Sequence, residues 1–299
     1  MFKIIKKTPY WFIFSGTLMV LSIVALSIFG LRLSIDYKGG TELQFKSTNS
    51  NRVEIAKSVL EKQSIPDFEI KPGSGDTVIV LLPVISNDQH LAITKSMQTE
   101  LGDYSEASYD TVGPTISKDL TTKSILAIVL ASIGIIFYIA FAFRKVPRPL
   151  SSWKFGASAV IALIHDLLIT TGIVSVLGHY FAWMQVDALF VTALLTIMGF
   201  SVHDTIVVYD RLRENFIKNP HQSIELTTEE SVNQTLARSI NTSLTVIIVL
   251  LASYLLGGTS IQHFILVLII GIFFGTYSSI FVAAAIVVVW HKNSKRASR

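Results

Sequence analysis

At 299 residues, with 51% hydrophobic side chains, 15% charged ones and a mean hydropathy of +0.54, the chain departs from the roughly 25% charged content of soluble domains and reads as an integral membrane protein. The absence of cysteine excludes disulfides, thiolate metal sites and thiol nucleophiles, and no metal or other cofactor is expected. Twenty-five basic against 21 acidic residues is a small excess; the basic side chains are placed by topology, and nucleic acid is not implied as a partner.

Residues 1–30 combine Lys3, Lys6 and Lys7 with an apolar run from Trp11 to Gly30. That run is longer than a signal-peptide core and no small-residue cleavage site precedes Arg32, so it reads as an uncleaved first span. Runs long enough to cross about 30 Å of hydrocarbon at about 1.5 Å per helical residue recur at 124–143, 155–177, 188–208, 239–257 and 264–290, giving six spans. A short tail, 292–299, follows.

Segment 31–123 has the pattern of a soluble domain. "DYKGG" leads in, where Gly39 and Gly40 permit a tight, strained junction or hinge. "TELQF" alternates like a half-buried strand, "RVEIAKSVLEKQ" has helical spacing, and "FEIKP" and "TVIVLL" flank the turn "PGSGD". "NDQHLAITKSMQTELG" supplies a second helix, with Asn87 or Asp88 as its cap and Gly102 as its stop. "YSEASYDTVG" is a last strand. The order strand, helix, strand, strand, helix, strand predicts a small α+β module of ferredoxin-like type, a fold that carries no chemistry by itself. Between the fourth and fifth spans, Thr227 and Glu230 read as a capping box opening a short surface helix.

Orientation follows from Lys and Arg in the short connections. They lie in the N-terminus, in the loop after span two (Arg144, Lys145, Arg148, Lys154), in the loop after span four (Arg211, Arg213, Lys218, Arg238) and in the tail (Lys292, Lys295, Arg296, Arg299), while 178–187 and 258–263 have none. Both termini are therefore expected in the cytoplasm and 31–123 outside.

Two carboxylates break the apolar pattern. Asp204, within "SVHDTIVV", lies near the inner end of span four, where an aspartate at the centre of a span would cost roughly 2.5–3.5 kcal/mol. Arg238 enters span five from the same side, so the two could pair at similar depth and exchange a proton; a static ion pair or a snorkelling interfacial Asp is the alternative. Asp166, beside His165 in the middle of span three, is either a second polar station or a protonated carboxyl locking helices together. His203, next to Asp204, is either a relay or an ordinary hydrogen-bonded histidine. Gly271, Gly275 and Ser279 form a small-residue stripe for helix packing. No "GxxxxGK[ST]", "HExxH" or "GxSxG" occurs, so the chain is not expected to be an enzyme. Asp166 and Asp204 are estimated at about 16 Å and 6 Å depth at helical rise, too far apart for an aspartyl-protease dyad.

Taken in order, "DYKGGTEL", "VGPTIS", "LIHD", "GFSVHDTIVVYDRLREN", "RSINTSLT" and "GTYSSIF" resemble the SecF family of bacterial protein-export membrane proteins along nearly the whole chain. The resemblance implies an RND-superfamily membrane domain that pairs with SecD and assists the SecYEG channel and SecA in moving preproteins across the inner membrane at the expense of the proton gradient. It places Asp204 and Arg238 on the family's proton-passage positions, matches Asp166 to a polar position of span three, and has Asp36, Gly39, Gly40, Gly113 and Pro114 transmit movement to the outer module. His203 stands where the family often has Asn. Half of an RND-type small-molecule or lipid exporter, or a non-conducting scaffold, are the competing readings.

Overall fold

The computed structural model describes residues 2–73, 75–144, 152–258 and 261–297, the last four by backbone only. Ser74 of the turn signal and Lys145, Arg148 and Arg299 of the flanking charges lie outside the described residues. The chain divides into two compact units: Met1–Gly30, Ala127–Val176 and Phe190–Arg299 make one, Leu31–Leu126 and Leu177–Leu189 the other.

The first unit is a helical bundle. Its helices are α1 (Thr8–Phe29), the C-terminal part of α5 (Pro114–Ala142), most of α6 (Ser152–Tyr180) and α7 (Ala188–Lys218), then α8 (Ile224–Leu256), α9 (Gln262–Ser278) and α10 (Ala284–Ala297). One π-helical turn, Ser279–Ala283, joins α9 to α10. Among the described residues, six helices are long and apolar enough to cross a membrane, and the protein is a multi-pass membrane protein. In their most apolar stretches α6, α7 and the α9–α10 rod bury about half their residues, whereas α1, α5 and α8 bury few. The first three therefore form the centre, and the others turn apolar faces outward.

Helices extend beyond the sequence-read spans wherever no breaker stops them. α5 starts at Pro114, where proline costs nothing because the first-turn N–H is unpaired in any helix. The short surface helix expected after span four is instead the first part of α8, which runs unbroken into the membrane. Its cap is Ser223, whose Oγ accepts the Leu226 N–H, and Thr227 lies inside the helix bonding back to the Ser223 carbonyl. Asn219 and Pro220 end α7, so only residues 219–223 separate the two helices.

Glycine sets how near the helices come. A methyl group on Gly172 of α6 would fall 2.6 Å from the Ser22 Cα of α1, and one on Gly271 would run into the Ile197 side chain of α7. Ser175 adds hydrogen bonds from α6 to the carbonyls of Ala25 and Gly30. At the other end of α1, the buried Glu229 of α8 accepts the backbone N–H groups of Ile4, Ile5 and Lys6. Asn233 holds both the N–H and the carbonyl of Phe2. A carboxylate from another helix thus caps the 3-10 turn, Ile5–Lys7, that leads into α1 and satisfies donors that have no partner within it.

The second unit carries a four-stranded antiparallel sheet in the order β2–β3–β1–β4, from β1 (Gly40–Lys46), β2 (Glu69–Pro72), β3 (Thr77–Leu82) and β4 (Ser105–Val112). With α3 (Arg52–Lys62) and α4 (Asn87–Leu101) it forms the ferredoxin-like α+β module read from the sequence. Leu43, Phe45, Val78 and Val80 of the sheet pack with Ala56, Val59, Leu60, Ile93 and Met97 of the helices. The cap of α4 is Ser86, one residue before the predicted Asn87 or Asp88: it makes a reciprocal capping box with Gln89, and its hydroxyl suits that geometry. Gly102 ends the helix at φ 78°. The β1–α3 loop is fastened by Asp103, which accepts from the Ser47 and Thr48 hydroxyls and the Thr48 N–H.

Those three donors hold the Asp103 carboxyl at about 2, below its ordinary 3.8. Because the folded value lies below the unfolded one, the fastening is complete above about pH 4 and is lost as pH falls toward 2; a carboxyl NMR titration of Asp103 with a midpoint near 4 would contradict this. Gly172→Ala should lower the unfolding midpoint by the equivalent of about 1–3 kcal/mol through overpacking. Gly134→Ala, where nothing lies within 4 Å of the added methyl, should not, and thermal melts of the two purified variants compare them.

Candidate functional site: a hydroxyl-lined carboxylate column

The two anomalous aspartates both lie in the bundle. Asp166 on α6 is fully buried; its Oδ2 accepts from Ser201 Oγ of α7 at 2.6 Å and from Ser278 Oγ of α9 at 2.7 Å, and its Oδ1 pairs with His165 Nδ1 at 2.9 Å. Adjacent residues on a helix point about 100° from one another. Flexible side chains close that gap. His165 is itself buried, and its Nε2 has no hydrogen-bond partner among the described residues.

One turn along α7 from Ser201, Asp204 is buried; Ser243 Oγ of α8 donates to it at 3.4 Å, and the Thr276 hydroxyl of α9 also lies against it. Ser243 in turn bonds Thr276 of α9. Between the two carboxylates, Ser279 donates to the carbonyls of Ser201 and Gly275 and meets the Thr205 hydroxyl at 2.9 Å. Further along, the buried Tyr209 hydroxyl contacts Ser158 of α6 at 2.6 Å and the Ala283 carbonyl, at the end of the π turn, at 3.2 Å. Hydroxyls thus line one side of α7 over two helical turns, facing α6, α8 and α9. The π turn begins where Ser279 meets this column, and such turns concentrate at functional sites.

The column depends on close backbones. A methyl on Gly275 would lie 3.1 Å from Ser201 Cβ and 3.7 Å from Asp166 Oδ2, so Gly271, Gly275 and Ser279 pack α9 against α7 where the hydroxyls must reach. The carboxylates are nearer than their sequence-read depths: Asp166 bonds Ser201, about 4.5 Å along α7 from Asp204 at helical rise. They have separate partners, and no dyad forms.

Arg238 is exposed on α8, and no ion pair within 4.0 Å joins it to Asp204 among the described residues. It shares an outward face with the exposed Asn241, Thr242 and Thr245. His203 is exposed as well, and no hydrogen bond links it to Asp204. Ser201, Ser243, Ser158 and Tyr209 are site residues that sequence reasoning passed over. Small polar residues recurring on one side of an apolar run were the available signal.

The two aspartates differ in what holds them. Asp166 has three partners; Asp166→Leu would leave the Ser201 hydroxyl and His165 Nδ1 unpaired at about 1–3 kcal/mol each, Ser278 keeping its bond to the Gly275 carbonyl, whereas Asp166→Asn keeps one acceptor oxygen. Asn should therefore destabilise the purified protein distinctly less than Leu in denaturant or thermal unfolding, and equal midpoints would contradict the assigned bonds.

Residues 92–293 match the family model described as "Protein export membrane protein SecD/SecF, C-terminal", and residues 24–50 the "SecD/SecF GG Motif". The protein translocase subunit SecF of Thermobaculum terrenum is 41% identical over 97% of this chain and 94% of its own length; that of Anaerolinea thermophila is 38% identical over 99% and 96%. The crystal structure of SecDF from Thermus thermophilus aligns with a TM-score of 0.86 at 33% identity, covering 98% of this chain and 39% of that longer one. A SecDF in a super-membrane-facing form aligns at 0.70 with 32% identity, over 99% of this chain and 39% of that one. The chain belongs to the SecD/SecF family of protein-export membrane proteins.

Proposed function

We propose that this chain is the SecF-type half of an export accessory. It pairs with a SecD-type subunit and uses the proton gradient to help SecYEG and SecA move preproteins across the bacterial inner membrane. It is a transport subunit without catalysis of its own. Its termini lie in the cytoplasm and residues 31–123 outside, as the placement of Lys and Arg requires. The names of its relatives support the export role, and the Thermus thermophilus SecDF, of which this chain matches 38%, supports the pairing.

The observation that carries the energetic part is Asp204. It is a buried carboxylate with only hydroxyls, Ser243 at 3.4 Å and Thr276, against it and no cation within ion-pair distance among the described residues. An unpaired charge is costly there, so the group changes its partners when it changes its proton. Asp166, held from three sides, is the fixed point of the same column. The exposed stripe of Arg238, Asn241, Thr242 and Thr245 on a lipid-depth helix is the face that meets SecD, where the guanidinium of Arg238 acts on the proton path; His203, exposed on α7 next to Asp204, is a second titratable neighbour of that path.

One proton crossing 100 mV releases about 2.3 kcal/mol, enough to bias a two-state movement about fiftyfold. The movement reaches the outer unit through the segments containing Asp36, Gly39, Gly40, Gly113 and Pro114. That SecDF structures align with this chain at TM-scores of 0.86 and 0.70 with nearly equal coverage supports more than one arrangement in the family.

Asp204→Asn should abolish the gradient-dependent part of preprotein export in proteoliposomes or inverted vesicles while the complex assembles at normal yield. Undiminished gradient-dependent export by that variant would sink the proposal and favour a scaffold.

A further inference from the structure

The segment that leads into β1 grips the ends of two helices. Ser34 N–H donates to the Val186 carbonyl at 3.0 Å, Val186 N–H to the Arg32 carbonyl at 2.8 Å, and Arg32 reaches the Gly178 carbonyl at 3.3 Å. A single helical turn follows, α2 (Ile35–Lys38), with Ser34 as its cap. Two side chains of that turn leave it. Asp36 Oδ2 accepts the N–H of Ala188, the first residue of α7, at 2.9 Å. The Tyr37 hydroxyl donates to the Asp187 carbonyl at 3.3 Å and bonds Ser124 of α5 at 2.9 Å.

Directly after this turn the chain is held hard. Gly39 and Gly40 have φ of 74° and 126°, a region that side chains rarely adopt. A methyl on Gly40 would stand 2.7 Å from the Leu82 carbonyl oxygen of β3, and one on Gly39 3.5 Å from that of Val112. Gly39 N–H is bonded to Ile35 and Gly40 is already paired with Val112 in the sheet. The glycine pair is therefore a pinned corner, stiff on both sides, and what happens at Asp36 is felt at β1.

We infer that Asp36 is a positioning residue that caps α7 from another segment and so makes β1 and the start of α7 move as one body. This rests on the reading of Asp204 as the proton-driven group, because α7 is one unbroken helix carrying both Ala188 and Asp204, about 24 Å apart along its axis at helical rise. The chemistry suits the task. The first four N–H groups of a helix have no internal partner, and a carboxylate there satisfies one of them and complements the positive end of the helix dipole. A displacement of α7 along its axis consequently pulls on Asp36, and through the stiff glycine corner on the first strand of the sheet.

Hydrogen exchange measured by mass spectrometry on the intact complex with the partner subunit, reconstituted in lipid, tests this. In an otherwise wild-type chain, Asp204→Asn should change the exchange rate of peptides covering 35–46 by about threefold or more, as expected for a shift in a local opening equilibrium. In an Asp36→Ala background that difference should fall at least twofold, the Ser34–Val186 and Tyr37–Asp187 bonds remaining, and in Asp36→Asn, whose amide oxygen still accepts from Ala188, at least half of the loss should be recovered. The same threefold change in Asp36→Ala would overturn the inference and leave the proton-coupled reading standing. So would an Asn variant that behaves like Ala. No change in the wild-type background would remove both. Should Asp36→Ala fail to assemble, Asp36→Glu keeps the charge but displaces the oxygen by one methylene; it supports the inference if the difference falls at least twofold and overturns it if the difference is retained.

Discussion

Everything in the bundle follows from two carboxyl groups that must find hydrogen-bond partners where there is no bulk water. A buried polar group without a partner costs several kcal/mol in an apolar medium, so the helices around Asp166 and Asp204 have to bring hydroxyls within about 3 Å of them. That requirement sets the spacing of α7 and α9. Gly271 and Gly275 let the two backbones approach until Ser201, Ser278 and Ser279 can reach across. The π turn after Ser278 belongs to the same solution, since Tyr209 meets the Ala283 carbonyl at its end. Packing and polar satisfaction are one constraint here: a bulkier residue at either glycine would part the helices and strand the carboxylates together.

Within this column the partners are unevenly shared, and the imbalance separates the roles. Three donors converge on Asp166, an arrangement that resists change because moving any helix breaks several bonds at once. Asp204 has a long bond of 3.4 Å from Ser243 and the Thr276 hydroxyl nearby, two groups that also bond each other. The helix that supplies this contact, α8, is the most weakly buried of those touching the column in its apolar stretch. A group that must gain and lose a proton is better placed beside an element that can shift than inside a saturated cluster.

The same device of capping a helix from elsewhere in the chain appears twice, once within each unit. Glu229 closes the 3-10 turn, Ile5–Lys7, that leads into α1, and Asp36 the N-terminus of α7. Each replaces a flexible connection by a directed hydrogen bond, so the capped helix and the capping element move as bodies and do not fray independently.

Composition, apolar run length and charge placement were enough to determine the membrane class, the six spans and the ferredoxin-like module, because these follow from transfer free energy and from local periodicity, both of which are summed along the chain. Asp166 and Asp204 were legible for the same reason: a carboxylate among valines and isoleucines is anomalous without any knowledge of its neighbours. Which hydroxyls meet them was not, since Ser201, Ser243 and Ser278 come from three helices and their convergence exists only after packing. The helix caps fell on Ser86 and Ser223 and not on the residues the pattern favoured, because serine, aspartate and asparagine cap almost equally well and the incoming chain direction chooses among them. Asp204 and Arg238 make no ion pair within 4.0 Å among the described residues, although Arg238 is near enough to act on the carboxylate through space: depth along a helix can be counted from sequence, but the face on which a side chain emerges at a given contact is set by how the helices are rotated against one another, and that is decided by the whole bundle at once.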